Sequence, residues 1–554
     1  MQADVVVVGS GAAGLTAAVT AAKSGLKVVV LEAAAVFGGT TAFSGGGVWI
    51  PVNHHMSELD VADSPEDAEA YLKAVLGNFY DDEKIGTYIR TAPEMLRYME
   101  QNSEVLLAAS TIPDYSPDAP GWKTGRCLLT ADFDGAKLGD DFDKVRAPIP
   151  EMGLFSSMQV SPADAYRLQH WTSSLSEALF AAGRVGRYAL DRLRRRRGRH
   201  MANGNALAGR LFKSARDAGV TLLNNARVRH LVVEDGRVTG VVLDHGGQQK
   251  TVTARRGVVL ASGGFGANEE MRQKYMPQSA AGWSVQPEGA QGDGVKMGVE
   301  VGAVLNEGNA ANGIWVPASA FRRPDGTLAK FPSLAFDRHC PGSIMVDARN
   351  GQRFVDESFH YQNFGETALE KGVTRIWMIS DADAVGKYGM GMVKPKPFSP
   401  APWVKKGYIK EAPTIAALAG KIGLDPEILE KTIKTFNAYA DAGKDPDFHR
   451  GENYYSAYMG DALHGPNPAL GALRKAPFYA LEVRPSDLGN VMGLNTNAKA
   501  QVVNADGVPI PGLYAAGLDN NSIMRGRYPG GGSSIGPAMT FGYIAARQLA
   551  ESAQ

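Results

Sequence analysis

The chain of 554 residues is too long for one small core, so we expect about two to four domains. Lys plus Arg and Asp plus Glu balance at 58 each, and this charge indicates neither a nucleic-acid partner nor a strongly anionic one. Two distant cysteines, Cys127 and Cys340, exclude a disulfide framework and a cysteine metal site. The sequence shows no leader pattern and no long apolar run. It therefore predicts a soluble, cytoplasmic protein without an integral membrane segment.

The first strand and its glycine turn predict a dinucleotide site. Val5–Val8 form a run that is typical of a strand buried on both faces of a parallel sheet. Gly9, Gly11 and Gly14 follow at the spacing that permits a tight turn, a close approach to a pyrophosphate, and strand–helix packing. A second strand ends on Glu32, about 20 residues on, where a ribose 2′-OH is bound. No second turn of this kind is present, which argues against a bound NAD(P)H.

Further stretches predict the rest of a ligand crevice and its surroundings. Residues 37–51 are rich in small residues that let the backbone lie against a flat ligand. Residues 65–100 are helical in pattern, and another helix is predicted from Ser174 into 184–200. Its basic run, Arg192–Arg199, is more typical of a solvated helix face or an oligomer contact than of contact with an anionic membrane surface.

The later chain predicts a return to the first sheet after an insertion. Buried strands end in small residues at 257–266 and 512–517, as a dinucleotide domain requires at its crevice. The fold class is thus α/β, with a discontinuous Rossmann-like FAD-binding domain and an inserted α+β catalytic domain. We predict that 1–285 and 484–554 form the FAD-binding domain, with a helical excursion at about 65–200, and that 286–483 form the insertion.

Several motifs together resemble the flavoproteins of the fumarate reductase and succinate dehydrogenase superfamily, and within it the 3-ketosteroid Δ1-dehydrogenases. The resemblance spans nearly the whole chain and is weakest at 130–200. It rests most on the motifs Ser44–Pro51, Asp114–Pro117, Asp487–Gly489 and Tyr528–Tyr543.

The resemblance implies an FAD-dependent α,β-dehydrogenation (1,2-desaturation) of a cyclic ketone and assigns the catalytic residues. Tyr528 and the amide of Gly532 match the groups that hold the ketone oxygen. Tyr361 matches the residue that removes the α-proton, and Tyr115 matches the tyrosine that supports it. The hydride from the β-carbon would go to flavin N5. This chemistry is consistent with the residues, because charge develops on the ketone oxygen in the transition state and needs donors there.

The predicted cofactor is FAD, held non-covalently, with an external electron acceptor that is quinone-like or of another kind. No histidine lies in an obvious position for flavin attachment. The residues predicted to bind FAD are Gly9, Ser10, Gly11, Ala12, Ala13, Gly14, Glu32, Ala33, Gly39, Thr40, Thr41, Ser44, Gly45, Gly46, Val228, Ala261, Gly263, Asp293, Gly517, Ser533, Ser534 and Ile535.

Alternatives stay open at this stage. A fumarate-reductase-like enzyme would need cationic residues for a dicarboxylate, for which Arg338, His339 and Arg525 are candidates. A flavin-binding redox sensor is a non-enzymatic alternative. Arg525 and Arg527 depart from the family pattern, and one of them would suit the carboxylate of a small oxo-cyclohexane ring. We favour a 3-ketosteroid or similar cyclic ketone, because we expect these arginines to face solvent or a protein carboxylate. The sequence does not indicate an oligomeric state.

Overall fold

The first strand lies in the middle of the larger sheet. The structure is a computed structural model that describes residues 1–169, 171, 173–276, 284–335 and 337–551. The strands are β1 (Gln2–Val8), β2 (Val28–Leu31), β3 (Gly47–Trp49), β4 (Leu107–Ala108), β5 (Cys127–Thr130), β6 (Phe133–Asp134), β7 (His200–Met201), β8 (Thr221–Leu223), β9 (Ala226–Glu234), β10 (Arg237–His245), β11 (Gln248–Leu260), β12 (Gly313–Arg322), β13 (Leu328–Pro332), β14 (Ser343–Asp347), β15 (Ile376–Ser380), β16 (Ile409–Ala412), β17 (Phe478–Asn490), β18 (Gln501–Val503) and β19 (Pro509–Ala515).

Helices alternate with these strands along the chain. They are α1 (Ala12–Lys23), α2 (Pro65–Leu76), α3 (Asp82–Asn102), α4 (Pro162–Gln169), α5 (Leu175–Arg194), α6 (Asn203–Asp217), α7 (Glu269–Tyr275), α8 (Asp293–Glu300), α9 (Tyr361–Glu370), α10 (Ala382–Tyr388), α11 (Ala401–Lys405), α12 (Ile415–Ile422), α13 (Pro426–Ala442), α14 (Tyr454–Met459) and α15 (Ile535–Glu551). Within the described residues, no helix combines the length and the apolar character needed to cross a membrane.

The larger sheet has the strand order β18-β19-β11-β1-β2-β8, and β10 and β9 extend it from β11. β1 pairs in parallel with β2 and β11, so its valines are buried on both faces, as predicted. Val5 and Val7 face a core that includes residues of α1 and α15, whereas Val6 and Val8 face the core under β9 and β10. Because β1, β11 and β19 run in parallel, their carboxyl ends form one edge.

The smaller sheet is antiparallel, and its strands lie within residues 313–490. Its order is β13-β12-β17-β15-β14, with β16 on β17. Helices α12 and α13 cover one of its faces, and α9 and α10 contribute to the core on another. The domain limits at 286 and 483 stay a prediction, to which the contacts add one detail. Helix α8 lies after residue 286 and still packs on β9 of the larger sheet.

The predicted helix through His200 is shorter than expected. Helix α5 ends at Arg194, and His200 begins the short strand β7. Arg197 turns inward, where its guanidinium donates to the carbonyls of Phe142 and Val145, each at 2.8 Å. These bonds require the chain to leave the helix, so part of the basic run is structural.

Candidate active site

The glycine turn after β1 fits a dinucleotide. Packing within the protein requires glycine at two of its three positions and leaves open space at the third. Gly9 has φ +105°, and a β-carbon there would overlap the carbonyl of Ala261. A β-carbon at Gly14 would overlap the carbonyl of Gly9. At Gly11 the nearest atom would be Thr41 Oγ1 at 3.6 Å, and φ is −73°. Protein packing therefore leaves the space at Gly11 open, at the N-terminus of α1, where a pyrophosphate would be bound.

This difference predicts two separable phenotypes. Gly9→Ala is expected to destabilise the fold by about 3 kcal/mol or more, because strain and overlap with backbone add. Gly11→Ala is expected to fold normally and to bind FAD at least about tenfold more weakly, through loss of backbone approach. Thermal unfolding and flavin content of the purified proteins measure the two effects. A Gly11→Ala protein with full flavin content would place the pyrophosphate elsewhere.

Glu32 lies at the end of β2 and is held by the glycine turn. Its carboxylate accepts from the Ser10 hydroxyl at 2.5 Å and from the Ser10 amide at 3.2 Å. The Ala34 amide donates to its other oxygen at 2.9 Å. The side chain is thus fixed beside the turn, at the position predicted for ribose recognition.

The loop after β2 is bound directly to the start of α1. Thr41 Oγ1 accepts from the Ala12 amide at 2.9 Å, and the Ser44 hydroxyl donates to the Thr41 carbonyl at 2.8 Å. Thr40 Oγ1 accepts from Gln286 Nε2 at 3.3 Å. Gly46 has φ +73°, and a β-carbon there would overlap the backbone of Asn203. These contacts fix the loop beside the edge formed by the carboxyl ends of β1, β11 and β19, which we call the crevice edge.

An acid that the sequence did not single out, Asp519, completes the edge. It follows β19 and is fully buried, and it accepts from the Ser262 amide and hydroxyl and from the Gly264 amide. Burial raises the pKa of the Asp519 carboxyl to about 6, although the hydrogen bonds from these donors lower it in part. Asp293, which is also predicted to bind FAD, accepts two bonds of 2.9 Å from Arg227, and its contact with FAD stays a prediction.

The other predicted FAD-binding residues lie along this edge or in the loops beside it. A β-carbon at Gly45 or Gly263 would have no described atom within 4 Å, so open space adjoins both. The remaining positions are Ala13, buried on α1; Ala33, exposed after β2; Gly39, before the Thr40–Phe43 turn; Val228, buried on β9; Ala261, after β11; Gly517, against Ala13; Ser533, bonded to Gly530; Ser534, beside Tyr528; and Ile535, the first residue of α15. Their contacts with FAD stay a prediction.

The three predicted catalytic tyrosines meet in one cluster, although they come from distant segments. The ring of Tyr361 lies 5.7 Å from Tyr115 and 5.3 Å from Tyr528, and Tyr115 and Tyr528 lie 6.0 Å apart, centroid to centroid. All three rings are buried. Tyr361 is the first residue of α9, whereas Tyr528 lies in the loop before α15. The cluster therefore forms where the insertion meets the predicted FAD-binding domain.

Two further aromatic residues join the cluster that the sequence did not indicate. His360 caps α9 and stacks on Tyr115 at 5.0 Å, and Tyr455 lies edge-on to Tyr115 at 4.8 Å. Burial lowers the pKa of His360 to about 3, with the charge of Arg338 adding to the shift. His360 is therefore neutral at physiological pH. Tyr455 is the second residue of the short helix α14, and no sequence motif around it indicates a place in the cluster.

Hydrogen bonds connect the Tyr115 loop to the Tyr528 loop. The Tyr115 amide donates to the Pro529 carbonyl at 2.8 Å, and the Tyr71 hydroxyl donates to the same carbonyl at 2.6 Å. The Ser116 amide donates to the Tyr71 hydroxyl at 3.2 Å. One phenol on α2 thus links both loops.

A buried ionic chain lies under these loops. Arg126 is fully buried and pairs with Asp114 at 2.7 Å and with Asp63 at 2.6 Å. Asp114 also accepts from Trp49 Nε1 at 2.7 Å. Asp114 precedes Tyr115, so the charged pair fixes the backbone that carries this tyrosine.

The glycine run after Tyr528 packs against β3. Gly532 has φ +93°, and a β-carbon there would lie 2.6 Å from the Val48 amide nitrogen. Its carbonyl accepts from the Trp49 amide at 3.2 Å. The Gly532 N–H, four residues after Tyr528, makes no hydrogen bond to another described residue, so this donor is available to a ligand.

The electrostatics of the cluster favour neutral phenols. Burial raises the pKa of Tyr115 and Tyr361 well above 10, and for Tyr361 the charges of Tyr115 and Tyr528 add to the effect. Burial also raises the pKa of Tyr528, opposed by hydrogen bonding to Ser534 and Tyr361. A phenol that keeps its proton is a suitable donor to a developing oxyanion.

Arg525 and Arg527 do not enter the cluster. Arg527 is 43% exposed and lies 3.8 Å from Glu366. Arg525 donates to the carbonyl of Gly308 and is half-buried. Exposed Arg527 beside Glu366 fits the expectation of solvent or a protein carboxylate, whereas Arg525 bonds a backbone carbonyl instead.

Comparison with known proteins identifies the family. The FAD binding domain family model matches residues 4–535. The chain is 38% identical over 99% of its length to 4-oxocyclohex-2-ene-1-carboxylate 5-dehydrogenase of Sinomonas cyclohexanicum, covering 94% of that protein. It is 37% identical over 99% of its length to 3-oxosteroid 1-dehydrogenase of Mycolicibacterium smegmatis, covering 97% of that protein.

A solved structure agrees with these relatives over the whole chain. The crystal structure of 3-ketosteroid Δ1-dehydrogenase from Sterolibacterium denitrificans, in complex with 1,4-androstadiene-3,17-dione, has a TM-score of 0.92 and 35% identity, with all of both chains covered. The predicted α/β fold, the predicted cofactor FAD and the resemblance are confirmed. The chain therefore belongs to the FAD-binding domain family, and it is an FAD-dependent oxidoreductase similar to the 3-oxosteroid 1-dehydrogenases.

Proposed function

We propose that this enzyme dehydrogenates a cyclic ketone, removing hydrogens from the α- and β-carbons to form a ring double bond. The observation that carries the proposal is the meeting of Tyr115, Tyr361 and Tyr528 in one cluster, with the unbonded N–H of Gly532 four residues after Tyr528. Three buried phenols and one amide at a domain junction provide both a proton acceptor and oxyanion donors, which such a reaction needs.

The Tyr528 hydroxyl and the Gly532 N–H are proposed to hold the ketone oxygen. As the α-proton leaves, negative charge grows on that oxygen, and two donors stabilise it more than they stabilise the neutral ketone. Gly532 is required for a second reason, because a side chain there would collide with β3.

Tyr361 is proposed to take the α-proton on its oxygen, assisted by Tyr115. The electron pair of the α-C–H bond forms the new double bond as the β-carbon loses hydride. The glycine turn, Glu32 and the crevice edge would hold FAD, which would supply the acceptor for that hydride, and an external acceptor, quinone-like or of another kind, would take the electrons away.

We propose a 3-ketosteroid as the substrate because the surroundings of the tyrosines are apolar. The cluster includes buried side chains from both domains and half-buried ones around them, namely Ile149, Val285, Ile314, Val316, Phe43, Met152, Leu334, Phe359 and Leu488. A large neutral ring system is what such a wall favours. Arg525 and Arg527 contact groups outside the tyrosine cluster, and this also supports a neutral substrate.

A smaller keto-acid is the second candidate, favoured by Arg338. This residue is fully buried, and its Nη2 has no hydrogen-bond partner among the described residues. Its charge acts on Tyr455, which adjoins Tyr115. A carboxylate on an oxo-cyclohexane ring would pair with such a guanidinium. The 38% identical relative is named for a substrate of this kind.

Anaerobic mixing distinguishes the candidates. The holoenzyme is mixed separately with androst-4-ene-3,17-dione, 4-oxocyclohexanecarboxylate, cyclohexanone and succinate, and the flavin absorbance is followed. The steroid is expected to bleach the flavin band fastest. Bleaching by the keto-acid alone would transfer the assignment to the second candidate, and bleaching by succinate alone would contradict ketone dehydrogenation.

The rate is expected to increase with pH. Tyr361 accepts a proton only as the phenolate, and its pKa lies well above 10. Below that pKa the ionised fraction grows with pH, so kcat/KM should rise about tenfold per unit between about pH 7 and 9. Initial rates with saturating acceptor measure the profile. A flat profile over that range would exclude the Tyr361 phenolate as the base of a rate-limiting proton transfer.

A further inference from the structure

Helix α5 presents its apolar side to solvent and its polar side to the protein. Leu175, Leu179, Leu190 and Leu193 are between 64% and 83% exposed. They recur at helical spacing on one face, with exposed small residues between them. We name this face, Leu175 to Leu193, the leucine stripe. Soluble surfaces rarely carry so contiguous an apolar row without a partner.

The opposite face of α5 is fastened by polar contacts. Arg184 pairs with Asp164 of α4 at 2.5 Å, and Glu177 pairs with Arg167 at 2.9 Å. The Tyr188 hydroxyl bonds Ser157 at 2.8 Å. Asp191 is buried and accepts from Arg199 at 2.7 Å. The helix is therefore held so that the stripe faces outward.

Cations lie at the end of the stripe. Arg192, Arg194 and Arg196 are exposed, and none pairs with a carboxylate in the described part of the chain. The acids of α5, Glu177 and Asp191, are already paired. A second copy packed on the stripe by two-fold symmetry would therefore bring no free α5 carboxylate to these arginines.

We propose that α5 docks on an anionic lipid bilayer, with the leucine stripe in the interfacial region and the arginines at the headgroups. Apolar residues on one side and arginines beside them are the pattern of a helix that lies in the membrane plane. Each exposed arginine gains from the negative surface potential of anionic lipids. The proposal does not depend on the proposed function.

The position of α5 also connects the membrane to the tyrosine cluster. Ile149 and Met152 pack in the cluster, and the chain then reaches Phe155 and Ser157, which contact Tyr188 of α5. A docked helix would thus place this short segment, and the apolar side chains packed around the tyrosines, near the bilayer.

Flotation of the flavin-loaded full chain with vesicles tests the proposal. Vesicles of phosphatidylcholine alone and of equal parts phosphatidylcholine and phosphatidylglycerol are compared. The wild type is expected to float with the anionic vesicles and to be released by high salt. The double variant Leu190→Ser, Leu193→Ser should partition onto anionic vesicles about 100-fold more weakly, because it loses the free energy usually gained on burying two leucines. Arg192→Gln, Arg194→Gln and Arg196→Gln together should weaken it on anionic vesicles by a similar factor, about 100-fold.

The matched control is Leu463→Ser, which alters a leucine that is 81% exposed and remote from α5 in sequence. It should float as the wild type does. Circular dichroism and flavin content confirm that each variant is folded. Failure of the wild type to float with anionic vesicles, or equal flotation by the leucine variant, would overturn the proposal. So would a dimer in light scattering that the leucine variant abolishes while vesicles bind neither protein.

Discussion

Replacing Tyr361 by Phe is expected to lower kcat by about 10²–10⁴, the usual contribution of a general base, in a protein that stays folded and yellow. The ring is 6% exposed and packs against Tyr115 and Tyr528, so Phe preserves these contacts and removes only the hydroxyl. Without that oxygen, the proposed acceptor of the α-proton is lost.

Stopped-flow reduction of the flavin measures the Tyr361→Phe effect on the chemical step. Tyr408→Phe is the matched control, because Tyr408 is equally buried in the insertion and bonds Ser319 instead of the cluster. The control should retain most of the wild-type rate. Retention of more than about a tenth of the rate by Tyr361→Phe would remove the residue from the role of base.

Tyr528→Phe is expected to reduce the rate about 10²–10³-fold, or roughly 3–4 kcal/mol, as is usual when one oxyanion donor is lost. FAD should remain bound, because the glycine turn and crevice edge are untouched. The ring would keep its place, since its neighbours contact the aromatic face.

Ser534→Ala provides the control for Tyr528. Its hydroxyl lies 3.3 Å from the Tyr528 hydroxyl and can position that phenol; because Ser534 is also predicted to bind FAD, flavin content is measured together with the rate. Its loss should cost less than about tenfold, as for a modest neutral hydrogen bond. Equal losses in both variants would indicate that Tyr528 acts through Ser534, and a Tyr528→Phe enzyme within tenfold of wild type would refute oxyanion binding by this residue.

The cofactor turn was predictable because its parts are local in sequence. A buried valine strand, three glycines and an acid at the end of the next strand all lie within residues 5–32. Tyr528 and Gly532 could be proposed for the same reason, since they belong to one continuous motif. Tyr361 and Tyr115 followed from short motifs, but nothing in their spacing predicts that their rings meet.

The rest of the site depends on pairings across the chain. The ion pair between Asp293 and Arg227 was not predictable, because Arg227 lies on β9, far from Asp293 in sequence, with no local signal. Asp519 had one usable signal, its place just after β19 at the common strand edge. Tyr455 and Arg126 had none. Their roles arise from packing between distant segments, which no periodicity encodes.

The Tyr71 hydroxyl forms a bridge between the Tyr115 and Tyr528 loops, and this bridge has a thermodynamic consequence. The hydroxyl restrains the Ser116 amide and the Pro529 carbonyl, and with the Arg126 ion pairs it restricts the backbones of Tyr115 and Tyr528. The loss of conformational entropy needed to order these groups therefore occurs once, when the chain folds, and not in each turnover. Loosening the bridge would leave the hydroxyl of every proposed catalytic tyrosine in place, and the barrier would rise through a more negative activation entropy.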